Sequence, residues 1–134
     1  MLNTFPELLF LKSMAPTLIR LGAGAYFIML GYSKFTLNRH ALITYFDSIK
    51  IKPADKFVKA LGFTEFIIGA CMIIGLLTQI ASIIGAIIAF VSLVVVVRDP
   101  QLKMRSWMEY MLLFLISLSL VFSGAGLWAL DLPL

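Results

Sequence analysis

Ionisable and metal-binding side chains are scarce in this chain: its 134 residues hold seven acids, eleven bases, one histidine and one cysteine. Charged residues make up 13% of it, against roughly a quarter in a typical soluble domain. With 61% hydrophobic residues and a mean hydropathy of +1.01, a soluble globular fold is excluded. The lone Cys71 excludes an intramolecular disulfide, a Cys-x-x-Cys dithiol and a cysteine zinc cluster, and His40 has no second histidine to share a metal with. We therefore expect neither a metal nor a covalent cofactor, so any redox chemistry is borrowed. No phosphate-cradling glycine loop is found, and no nucleophile with a base at workable spacing. The bases give a net charge of +4, but they are too few and too gathered in two loops to form a nucleic-acid groove. The first 14 residues carry Glu7 and lack the basic start and apolar core of a signal peptide.

What is present is apolar length. From Phe66 to Val97 there are 32 residues without a charge; as one helix they would run about 48 Å and overshoot a hydrocarbon core of about 30 Å. Gly75 and the polar pair Thr78-Gln79 mark the break. The expected architecture is an all-α integral membrane four-helix bundle, a single domain with spans near 15–35, 54–77, 80–97 and 106–126. In the first loop, Asn38 is placed to cap a short helix whose Leu42, Tyr45, Phe46 and Ile49 follow amphipathic spacing. That helix either lies on the membrane face or plugs the bottom of the bundle. Lys and Arg gather in loops 36–53 and 98–105, which predicts that both loops are cytoplasmic and both termini outside, in a multi-pass plasma-membrane protein.

In lipid, exclusion of water does not drive helices together, so small residues must let their backbones approach. Ala81, Gly85 and Ala89 form such a stripe on the third span, and Gly22 with Gly24 and Gly69 with Ala70 form notches on the first two. These are read as packing features. The same small-residue grooves also permit a homo-oligomer.

Five charges stand within or against the apolar spans: Arg20, Lys34, Glu65, Glu109 and Asp131. A charge at mid-bilayer costs at least about 2.5–3.5 kcal/mol, so each needs a partner, water or a route to the headgroups. At about 1.5 Å per residue, Arg20 lies below the outer end of span one, Lys34 near the cytoplasmic end and Glu65 near the midplane. Those depths pair Lys34 with Glu109, and Arg20 with Asp131 or Glu65. Tyr26, Gly31 and Tyr32 are candidate pocket lining, while Tyr26, Tyr32 and Trp128 also suit interfacial anchoring. The charges serve either a ligand pocket or helix register, and the residue pattern leaves both open.

These residues also carry a family resemblance. Arg20, the Gly31-Tyr32-Ser33-Lys34 ending of span one, Glu65, the Gly75-Leu76-Leu77-Thr78 turn, and Glu109 followed by an apolar run to Gly124-Ala125-Gly126 and Asp131 occur in an order that resembles the DoxX/DoxD family of small four-helix membrane proteins. Two positions depart from its pattern: Ala125 stands where a proline is common, and Gln79 where an arginine often follows the turn. The resemblance implies the membrane part of a thiosulfate:quinone oxidoreductase or of a thiol and quinone redox-stress system. Distant relatives act as assembly chaperones, so fold alone does not transfer an activity. Three readings follow. The first is an accessory redox subunit, holding a quinone between spans one, two and four near Arg20 and a protonatable Glu65, with soluble partner proteins at the cytoplasmic face. The second is a non-catalytic scaffold or assembly factor, and the third a small-solute or proton-coupled carrier.

Overall fold

The computed structural model describes residues 14–100, 102 and 105–124. Lys12, Lys103, Trp128, Asp131, the Ala125-Gly126 pair and the expected end of span four at residue 126 lie outside the described residues. Regular structure among those described is entirely helical: α1 (Met14–Phe35), α2 (Arg39–Ser48), α3 (Ala54–Ile74), α4 (Thr78–Arg98) and α5 (Trp107–Ser123).

Helices α1, α3 and α4 are long and apolar enough to cross a membrane. The 21 residues of α4 make about 31 Å, matching the hydrocarbon thickness. Helix α5, equally apolar, has 17 residues. Ser106 caps α5, its hydroxyl accepting from the Met108 amide at 3.4 Å. The expected break falls between α3 and α4 but is tighter than the sequence suggests. Gly75 takes a left-handed conformation, φ +77°, and the amides of Gly75 and Leu76 both return to the Cys71 carbonyl. Helix α3 thus stops at Ile74, and Thr78 begins the next helix instead of belonging to the turn. A short helix, α2, stands in the first loop; of the four apolar residues expected to form its face, Leu42 alone is buried, and Ile49 falls past its end and is exposed. Asn38 precedes the helix, yet only its backbone is engaged, the amide donating to the Ser33 carbonyl and the carbonyl accepting from the Leu42 amide; its side chain makes no capping bond.

The closest backbone approach joins α1 to α3, which run antiparallel. A Cβ added to Gly24 would sit 2.8 Å from the Gly69 carbonyl oxygen, and one added to Gly69 would sit 2.5 Å from that of Gly24. One helical stretch further on, Gly31 meets Gly62 in the same way, a Cβ on Gly31 falling 2.6 Å from the Gly62 oxygen. The two glycines on each helix are seven residues apart, so they recur on one seam and the backbones nearly touch along it. The α4 stripe is also spent on packing, since Gly85 receives the Phe27 ring and the Met72 side chain. Gly22 is different. It faces outward, and a Cβ built there meets nothing within 4 Å, so it takes no part in the packing notch expected of it.

The interior is built from Phe27, Leu30, Ile68, Met72, Leu113 and Leu120 together with the alanines of α4. Large apolar side chains also point outward, among them Phe63, Ile67, Ile87, Phe90, Leu112 and Phe122. In water such a belt would be a liability, whereas in a bilayer it is the required solvent-facing surface.

Candidate functional site

The Lys34 and Glu65 side chains form an ion pair inside the bundle, with the ammonium 2.5 Å from the carboxylate and side-chain exposures of 2% and 0%. The glycine seam sets a register in which Lys34 lies opposite residue 59, about 9 Å along the axis from Glu65. The contact is made because Cα–Cβ bonds lean toward each helix's own N-terminus. In this antiparallel pair Lys34 leans toward the far end of α1 and Glu65 leans back toward it. Gly62 clears the way: a Cβ there would sit 3.3 Å from the Lys34 Cβ. Pairing by Cα depth, which joins Lys34 to Glu109, misses this lean, and the structure corrects it.

Glu109 instead accepts hydrogen bonds from the Tyr26 hydroxyl and, at 3.3 Å, from the Arg105 guanidinium. The guanidinium carbon lies 5.5 Å from the centroid of the Tyr26 ring, so the cation also sits over an aromatic face. Helix α5 meets α1 around Tyr26, eight residues and about 12 Å above Lys34, and that register is why Glu109 cannot reach the lysine. Partial desolvation opposes the Arg105 charge, but Tyr26 and Glu109 outweigh it and hold its pKa above the ordinary value. Tyr110, the next residue along α5, turns inward and is buried.

This cluster borders a cavity of about 290 Å³ between α1 and α5, lined by Gly22, Ala23, Tyr26, Arg105, Glu109, Leu112, Leu113 and Ile116. One end carries hydroxyl, guanidinium and carboxylate groups, and the remainder is aliphatic. A pocket of this kind holds a molecule with one polar end and an apolar body.

Other candidate residues are placed elsewhere. Arg20 is buried, with 2% of its surface exposed, and does not line this cavity. Neither does Glu65. Gly31 is consumed by the seam against Gly62, and Tyr32 is exposed on the outer face of α1. Asp131 lies outside the described residues. Arg105 and Gly22 line the cavity although the residue pattern marks neither for it, assigning the first to topology and the second to packing. The spacing of Arg105 and Glu109, four residues apart, was the available signal for the first. Gly22 had none, because only the tertiary arrangement shows which way it faces. Ser82 and Ser117 add fully buried hydroxyls with no hydrogen-bond partner among the described residues. No group of three or more potential metal ligands is found among the described residues.

The model of the DoxX family matches residues 15–98, more than half of the chain. No curated protein and no solved structure matches it.

Proposed function

The chain belongs to the DoxX family of membrane proteins, and on that premise we propose that it is the membrane subunit of a quinone-linked redox system, receiving a quinone in the cavity between α1 and α5. The observation that carries this reading is the cavity itself. Arg105 presents donors at one end beside Tyr26 and Glu109, and Leu112, Leu113 and Ile116 line the rest. A carbonyl head group on an apolar ring and tail fits that division. The residue pattern points to Arg20 and Glu65, but the Lys34–Glu65 pair is sealed and satisfied within itself, so the head group belongs instead at Tyr26 and Arg105.

When bound, a quinone would supply two-electron redox capacity, with electrons delivered by a soluble partner. The chain's own residues bind and orient it. Arg105, whose guanidinium keeps N–H groups beyond the one given to Glu109, donates toward a carbonyl oxygen; Tyr26, bonded to Glu109, holds that carboxylate and backs the guanidinium with its ring, and the aliphatic wall keeps water from the quinone. The Lys34–Glu65 pair holds α1 and α3 in register. In the same reading α5 is the fourth span, α2 lies along the cytoplasmic face, and the basic loops 36–53 and 98–105 face the cytoplasm of a plasma membrane and receive the partner.

Protein purified from native membranes is expected to carry extractable quinone. Removing one hydrogen bond of about 1 kcal/mol corresponds to roughly a fivefold loss of affinity, so Arg105→Met, which removes the donor, and Glu109→Gln, which releases it, should each lower the bound quinone by about that factor or more. Unchanged quinone content in both variants would refute the assignment.

A further inference from the structure

The α1/α5 groove does not end at the polar cluster. A second cavity of about 350 Å³ is lined by Ile19, Gly22, Ala23, Leu115, Ile116 and Ser119. Gly22, Ala23 and Ile116 belong to both cavities, so the two are one continuous groove. Along α5 it runs from Glu109 to Ser119, ten residues or about 15 Å. Polar groups stand at one end, with an aliphatic course beyond them.

Gly22 sits where the two cavities join. Glycine is a poor helix former, and in a membrane helix it is ordinarily spent on close contact with a neighbour. The other glycines within the described helices, at 24, 31, 62, 69 and 85, each have a neighbouring atom within 3.2 Å of an added Cβ. Gly22 has none within 4 Å and is exposed. What its missing side chain does provide is an open floor at the junction. We propose that Gly22 is a specificity-determining residue: it opens a channel in which the apolar tail of the quinone lies against Ile19, Leu115 and Ser119 while the head group rests at Tyr26 and Arg105. This rests on the reading given under Proposed function. It adds the direction of the ligand, from Glu109 toward Ser119, and the requirement for a long, slender, uncharged chain. A tail taken from lipid gains little from leaving water, so discrimination comes from shape: an open groove admits the chain and a filled one rejects it.

The test compares wild-type protein, Gly22→Leu and Ser119→Phe, purified in mild detergent, with two probes. One is a tailless benzoquinone. The other is the same head group on a long alkyl tail that ends in a photoreactive group. In wild type the photoprobe is expected to label residues 19–23 and 115–119, and unlabelled tailed quinone to displace it. In Gly22→Leu that labelling should fall about tenfold or more, because the new side chain fills the floor shared by the two cavities; in Ser119→Phe, which lies outside the head-group cavity, tailless binding should stay within about twofold. Ser119→Phe blocks the far end, so it should exclude long tails and spare short ones, and it serves as the test if Gly22→Leu does not fold. Labelling confined to other helices, with tailless binding intact, would overturn the channel and leave the head-group site standing. Labelling of the same residues by a photoreactive phospholipid that tailed quinone fails to displace would also overturn it, making the groove a lipid seat. Absence of binding by either quinone probe would overturn the channel together with the function proposed above.

Discussion

Replacing Lys34 with methionine keeps the unbranched stem, one atom shorter, and removes its charge, leaving the Glu65 carboxylate buried without its partner. The structure makes this a severe change: the pair is 2% and 0% exposed, and the ammonium contacts both carboxylate oxygens. Removing one member of a buried pair costs about 3–5 kcal/mol, a large share of the roughly 5–15 kcal/mol that holds a domain folded. Replacing both members with apolar residues of similar volume is expected to cost far less, within about 1 kcal/mol of wild type, because no buried charge then remains. The assay is a double-mutant cycle on Lys34→Met, Glu65→Leu and the double variant, unfolded by sodium dodecyl sulfate in mixed micelles and followed by helical circular dichroism. The cycle should give a coupling energy of about 3 kcal/mol or more. Single variants that each cost under about 1 kcal/mol, or a double variant whose cost is the sum of the two, would show that the carboxylate has other support and that the pair does not hold the register.

Three further outcomes follow from the packing and the helix ends. Gly69→Leu places a side chain against the Gly24 carbonyl, where even a Cβ would stand 2.5 Å away, and should abolish folded protein in a thermal melt monitored by size-exclusion chromatography; Gly22→Ala should stay within about 0.5 kcal/mol of wild type. Ser106→Ala removes the hydroxyl that caps α5 and should cost about 1 kcal/mol in the same detergent titration, with the loss recovered by Ser106→Asp. Arg39 and Lys59 both pair with Asp55, tying α2 to the start of α3, but all three side chains are more than a third exposed; Arg39→Ala should therefore cost under about 1 kcal/mol and lose its effect in high salt.

The helices were legible in the sequence to within a few residues, because apolar length and turn chemistry are local properties. Gly75 ends α3 by its own left-handed backbone, Ser106 caps α5 from its own position, and the charge-free run from Phe66 to Val97 had to break near the middle. The same local information identified Lys34, Glu65 and Glu109 as charges in need of partners. It did not identify the partners. Which residue Lys34 reaches depends on the Gly24–Gly69 and Gly31–Gly62 contacts, which fix the register of α1 on α3, and on two side chains leaning toward opposite ends of an antiparallel pair. The height at which α5 meets α1 likewise gave Glu109 to Tyr26 and Arg105 and left Gly22 facing an open groove. Composition alone thus determined that the chain is helical and suited to lipid, since burying that much apolar surface requires no knowledge of neighbours. Tertiary structure decided who pairs with whom, because register between helices is set by contacts far apart along the chain.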